Sequence, residues 1–130
     1  VNDELCLLIV DDDKDLLDPL IEVCERFHFK VVSASSGQRA IDLVDQHDVD
    51  VVLTDIRMQP MGGFALLEKV RALRSDLPFI LCTGFWDRLD EKRAASFENV
   101  ERLEKPFTFL ELELMLQRIR EKVLASRVRA

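Results

Sequence analysis

Five residues of this sequence carry side chains suited to handling a metal ion or a phosphate, and each stands where a short apolar run gives out. Asp11 and Asp12 follow the run from Leu5 to Val10, Asp55 follows Val51-Val52-Leu53-Thr54, and Thr83 follows Phe79-Ile80-Leu81-Cys82. Lys105 comes just after residues 100–103. Carboxylates brought together repel: at about 4 Å and an effective dielectric near 20, each pair costs about 4 kcal/mol. A hard divalent cation relieves that repulsion. Mg²⁺ suits one or two carboxylates with carbonyl and water oxygens, and it recruits phosphate. A lysine ammonium and a hydroxyl complete a cradle for phosphoryl oxygens, and a carboxylate beside the ion can itself attack phosphorus. Taken singly, these residues have ordinary explanations: aspartates that favour a helix start, a turn after a strand, a strand terminus. Only their convergence argues for chemistry.

Convergence depends on the elements that carry them. The run 5–10 is continuously apolar, as in a strand buried on both faces. Leu17, Leu20, Ile21, Cys24 and Phe27 then fall on one helical stripe. Pro19 is expected in the first turn of that helix, with Asp18 as its N-cap. Val31-Val32 is the kernel of a second strand, and Ser35 with Gln38 fits a capping box before Ala40, Ile41 and Val44. After Gly62-Gly63, the residues Leu66, Leu67, Val70 and Leu73 keep helical spacing. Asp87 is expected to cap a helix containing Leu89, Lys92 and Ala95. Residues 100–103 alternate apolar with charged and read as an edge strand. Thr108 and Glu111 form a capping box for a last helix striped by Leu112, Leu116, Ile119 and Val123. Five strands, each followed by a helix, imply a parallel sheet covered on both faces by right-handed crossovers. Consecutive strands then point the same way, so all five polar residues fall on the carboxyl edge, where such folds bind ligands.

Composition narrows the class. The chain has 130 residues, 48% hydrophobic and 33% charged, enough for one core and too apolar for disorder. Four Gly and four Pro exclude collagen-like and low-complexity chains. No apolar run approaches the roughly 20 residues of a membrane helix, and Val1-Asn2-Asp3-Glu4 lacks a secretory leader's basic and apolar flanks. A soluble, cytoplasmic protein is expected. The net charge of −7 argues against a nucleic-acid surface over the whole domain, although residues 117–130 hold five basic side chains against Glu121. That tail reads as a solvated helix face. Cys6, Cys24 and Cys82 form neither a disulfide framework nor a zinc site, and are expected to be reduced and buried. His28 and His47 are isolated, at the surface or its boundary.

The stretches LLIVDDD, VVLTDIRM followed by Gly63, ILCTG and LEKPF resemble the receiver domain of two-component response regulators, in order and over essentially the whole chain. The intervals of 43, 28 and 22 residues from Asp12 to Asp55, Thr83 and Lys105 in turn suit that family. The resemblance implies an α/β fold: a doubly wound five-stranded parallel sheet of flavodoxin-like order 2-1-3-4-5 in a three-layer α/β/α sandwich. It implies a single receiver domain over 1–130; the last helix, about 108–130, with Ile119, Val123 and Val128 continuing its apolar stripe, reads either as a linker or dimer contact or as a solvated tail. Asp55 would be the phosphoacceptor, served by a sensor histidine kinase or a histidine phosphotransfer protein. Asp12 and Asp55 would bind Mg²⁺ directly, Asp11 through water or from behind, and Arg57 through its backbone carbonyl. Lys105 would pair with a phosphoryl oxygen, its bond to Pro106 being cis as is common in the family. Thr83 would move to the phosphoryl group and bias the surface of the fourth helix, fifth strand and fifth helix. Such a domain is a signalling phosphoacceptor, not an enzyme, though it assists its own phosphorylation and dephosphorylation. An effector domain, a target protein or a homodimer would carry the output. No membrane is involved, and nucleic acid would be reached only through an output domain outside this sequence.

Three positions depart from the family pattern. Arg102 stands where an aromatic residue is usual, which sets aside the expected ring rotation and favours a solvated side chain. Gln59 holds the place of a proline that comes one residue later, at Pro60. Glu98 and Asn99 replace small residues before the fifth strand. Phe85 and Trp86 read either as an exposed partner contact or as a cover for the fourth helix. Two other classes of function compete. One is a receiver-like docking module that is never phosphorylated. The other is a phosphatase of the haloacid dehalogenase type, suggested by the D-x-D within Asp11-Asp12-Asp13 but opposed by Asp15 and by the lack of a later acidic pair. Neither a GxGxxG site nor a Walker-type loop is present.

Overall fold

In this computed structural model, which describes residues 4–129, strands and helices alternate without exception. Residues 1–3, read above as lacking a leader, and Ala130 lie outside the described residues. The strands are β1 (Cys6–Val10), β2 (Lys30–Ala34), β3 (Val51–Asp55), β4 (Phe79–Thr83) and β5 (Val100–Glu104). The helices are α1 (Lys14–Arg26), α2 (Gly37–Gln46), α3 (Gly63–Leu73), α4 (Arg88–Ala95) and α5 (Phe109–Arg129). All strand pairs are parallel, in the order β2-β1-β3-β4-β5, so β5 is an edge as its alternating pattern suggested.

Because successive strand residues face opposite sides, the sheet divides the core in two. Leu8, Val10, Val52, Phe79 and Leu81 pack under α2 and α3 with Leu43, Phe64, Leu67 and Val70. Leu7, Ile9, Val51, Leu53 and Ile80 pack on the other side with Leu17 and Cys24 of α1 and Leu112, Leu116 and Ile119 of α5. All three cysteines are free and buried. Among the described residues, no helix is long and apolar enough to cross a membrane.

Two helix starts differ from the sequence expectation. Helix α1 begins at Lys14, not after Asp18: Asp13 is its N-cap, its side chain accepting Asp15 N–H at 3.0 Å, and Pro19 lies inside the helix. The bond Pro19 cannot donate would end on the carbonyl of Asp15, and both residues lie on the exposed face of the helix. Helix α2 is capped by Ser36, one residue after Ser35, with its hydroxyl accepting Arg39 N–H at 3.2 Å; Gln38 instead bonds Asp42. The caps expected for the last two helices form, the first of them as a capping box that was not foreseen. Asp87 and Asp90 cap α4 reciprocally, and Thr108 and Glu111 exchange bonds of 3.0 and 3.1 Å ahead of α5.

The last turns of α5 lie against the body. Arg127 pairs with Asp50, whose other oxygen accepts Cys6 N–H at 2.7 Å, and Arg118 pairs with Glu101 at 2.5 Å. Asn99 adopts a positive φ of 55°, a conformation asparagine tolerates better than most residues, and its carbonyl, like that of Glu98, accepts from Arg71.

Candidate functional site

The strand register fixes the site. Val10 pairs with Thr54, Asp55 with Cys82, and Thr83 with Glu104, so Asp11, Asp55, Thr83 and Lys105 end adjacent strands side by side. Backbone bonds carry the alignment past the last pairs: Ile56 N–H donates to Cys82 O at 3.0 Å, and Lys105 N–H to Thr83 O at 2.9 Å.

Lys105 Nζ donates to Asp55 Oδ2 at 2.8 Å and to Asp11 Oδ2 at 3.2 Å. The two carboxylate side chains are only 14% and 8% exposed, so this one ammonium offsets most of their mutual repulsion. Burial by itself would pull the Lys105 pKa down, but the hydrogen bonds and charges of Asp55 and Asp11 outweigh it and raise it above the ordinary lysine value. Each acid is also oriented through its other oxygen. Asp55 Oδ1 accepts Arg57 N–H at 2.8 Å, and Asp11 Oδ1 accepts Asp13 N–H at 2.9 Å.

Helix α3 seats directly on the end of β3. A Cβ at Gly63 would lie 2.6 Å from the carbonyl oxygen of Asp55 and 2.8 Å from Ile56 Cα, so only glycine allows this approach. Asp12 is exposed and turns toward the next loop, where its Oδ2 accepts Gln59 N–H at 3.4 Å. A proline at 59 would have no such N–H; its displacement to Pro60 leaves the donor free. The peptide bonds Gln59-Pro60 and Lys105-Pro106 are both cis, the second as expected. Thr83 is buried beside this group, with its hydroxyl turned to its own loop: it donates to Phe85 O and accepts Phe85 N–H, each at 3.3 Å.

Of the residues singled out in the sequence, Lys105 touches both Asp11 and Asp55, Thr83 lies alongside, and Asp12 stands at the rim. Among the described residues, no three His, Cys, Asp or Glu side chains close around a common point. That donor set still suits Mg²⁺, which takes one or two carboxylates, a carbonyl and several waters in preference to an all-protein cage. No motif points to the next layer of contacts. The side chain of Arg57 crosses to Asp90 and to Phe85 O, contacts between residues 33 and 28 positions apart. Arg102 is exposed, as expected, but has partners. It pairs with Glu91 and Glu104 and lies over the Trp86 ring, 5.2 Å from its centroid. The two readings of the aromatic pair divide between its members: Phe85 is 69% exposed, whereas Trp86 is partly buried and, like Ala94 of α4, packs against the core under α2 and α3. A groove of about 650 Å³ lies at the opposite end of the sheet, lined by Asp50, Pro78, Asn99, Arg118 and Lys122, away from this chemistry.

The family model described as the response regulator receiver domain matches residues 7–117. The chain belongs to that family. The receiver domain is 31% identical over 113 residues to response regulator SaeR of Staphylococcus aureus, covering 87% of this chain and 49% of that protein. It thus spans about half the length of the curated relatives it matches. Its fold is that of the signal receiver domain of an HD domain-containing protein from Pseudomonas fluorescens, with a TM-score of 0.90, 24% identity, and coverage of 100% and 96% of the two chains. The chemotaxis protein CheY4 of Vibrio cholerae has the same fold, with a TM-score of 0.84, 23% identity, and coverage of 89% and 98%. In this receiver domain Asp13, the second acid of the D-x-D, serves as the N-cap of α1.

Proposed function

We propose that this receiver domain accepts a phosphoryl group on Asp55 from a sensor histidine kinase or a histidine phosphotransfer protein, in a Mg²⁺-dependent reaction. The observation that carries this reading is the Asp55 carboxylate, nearly buried yet held between Lys105 Nζ and the backbone N–H of Arg57. A carboxylate oxygen forms the new P–O bond as the P–N bond of the donor's phosphohistidine breaks. The imidazole nitrogen keeps the bonding pair and takes up a proton from solvent. Lys105 faces the charge on the transferring phosphoryl oxygens, and its preset position means little reorganisation is needed. The Thr83 hydroxyl exchanges Phe85 O for a phosphoryl oxygen and draws its loop inward. Held by Asp12, Asp55 and the Arg57 carbonyl, with Asp11 behind them, Mg²⁺ would neutralise the phosphoryl group and align it for in-line displacement.

The consequence is a changed surface on α4, β5 and α5, read by an effector domain, a target protein or a second copy joined through α5. The setting is cytoplasmic, and any nucleic acid is met through a domain outside this chain. Incubation with acetyl phosphate and Mg²⁺ should add one phosphoryl mass, abolished by a chelator. No adduct from any donor would favour the docking module that is never phosphorylated, the reading that Arg102 over the Trp86 ring supports.

A further inference from the structure

Helix α4 is held to the body by a charge more than by a core. The buried residue among Arg88–Ala95 is Asp90, 2% exposed, whereas Leu89 is 62% exposed. The Asp90 carboxylate accepts Asp87 N–H at 3.0 Å and both terminal nitrogens of Arg57, at 3.3 and 2.5 Å. Arg57 also donates to Phe85 O at 3.0 Å, the same carbonyl that takes the Thr83 hydroxyl. Its backbone N–H is on Asp55 Oδ1. One residue therefore touches the acceptor, the loop after β4 and the buried anchor of α4.

We propose that Arg57 is the positioning residue that couples Asp55 to α4: it latches the helix while Asp55 is free, and a phosphoryl group on Asp55 draws its guanidinium off Asp90. The coupling step rests on the phosphoacceptor reading above. A phosphoryl group brings up to about two negative charges and three acceptor oxygens within reach of a side chain suited to pairing with phosphate. Asp90 without Arg57 is a buried carboxylate lacking its counter-charge, a state so unfavourable that the turn carrying it must move toward water. The latch also gives α4 a route to respond that needs no aromatic residue at position 102, where Arg102 is already committed to Glu91, Glu104 and Trp86.

Hydrogen exchange of the α4 amides tests this, with phosphorylation followed by intact mass in the same samples. Asp90→Asn keeps an oxygen for Asp87 N–H but removes the charge, so a role confined to capping survives it. In the wild type, phosphorylation should speed α4 exchange at least about tenfold. In Asp90→Asn, exchange should be that fast already and not rise further, while Asp90→Glu should restore the response in part. Emission from Trp86, the single tryptophan, should follow the same pattern and serves as a second readout. Unchanged α4 exchange in unphosphorylated Asp90→Asn overturns the latch. So does a phosphorylated wild type, verified by mass, whose α4 stays protected. Absence of any adduct overturns the phosphoacceptor reading itself and takes the coupling step with it.

Discussion

The ammonium of Lys105 lies 2.8 Å from Asp55 Oδ2 although 50 residues separate the two in sequence, and the same nitrogen reaches Asp11 at 3.2 Å. Lys105→Ala would leave the two acids facing each other. In metal-free buffer it should cost about 1–3 kcal/mol of unfolding free energy, and added Mg²⁺ should recover part of that. Urea unfolding with and without Mg²⁺ measures both. The variant should still accept a phosphoryl group but lose the NMR response of the α4, β5 and α5 surface.

The same contacts set a pH dependence. The Lys105 pKa is raised above the ordinary lysine value of 10.5, so its contribution is fully present below that pH and is lost as pH rises through the higher folded-state value. Unfolding midpoints of the wild type should therefore fall above about pH 10.5, and those of Lys105→Ala should fall less over the same range.

Gly63 allows α3 to approach the Asp55 backbone. Both atoms that a Cβ would meet are backbone, so neither can swing aside. Gly63→Ala should destabilise by about 1–3 kcal/mol and slow phosphorylation, because any relief shifts the acceptor strand. Denaturant midpoints and the rate of adduct formation check the two effects separately.

Burial pushes the Cys24 and Cys82 thiols up to about 12 and also raises Cys6. Since the thiolate is the reactive form, a disulfide reagent should leave these thiols untouched in the native protein and titrate all three after denaturation. Rapid native labelling would contradict the packing of both core halves.

Asp50 serves two partners at the other end of the sheet. Arg127→Ala removes one exposed ion pair and should cost no more than about 1 kcal/mol. Asp50→Ala also strands the Cys6 N–H and should cost about 1–3 kcal/mol. Thermal unfolding of the pair ranks them, and equal losses would mean the backbone contact contributes nothing.

Most of this architecture is legible in the sequence because its signals are local. Apolar runs ending in Asp11, Asp55, Thr83 and Lys105 define the strands, and parallel connection forces their ends to one edge. Capping residues are legible only to within competing donors. Asp13 outcompetes Asp18 because Pro19 can be tolerated on a solvated face, and Ser36 replaces Ser35 because its hydroxyl lies three residues before Arg39 N–H. The pair of Arg57 with Asp90 could not be read at all. Nothing local in either residue signals a partner 33 positions away, and a buried acid in an otherwise polar helix looks like one more surface charge. The exposure expected of Arg102 holds, but its pairing with Glu91 and its place over the Trp86 ring could not be read for the same reason.

The central claim is that Asp55 is the residue that carries the phosphoryl group, and the direct measurement is to locate the adduct. The domain is phosphorylated by a phosphorylated histidine kinase, reduced with borohydride to convert the acyl phosphate to homoserine, and mapped by peptide mass. The account predicts homoserine at position 55 and none in Asp55→Asn. Homoserine at Asp11, Asp12 or any other carboxylate, with position 55 intact, would contradict it.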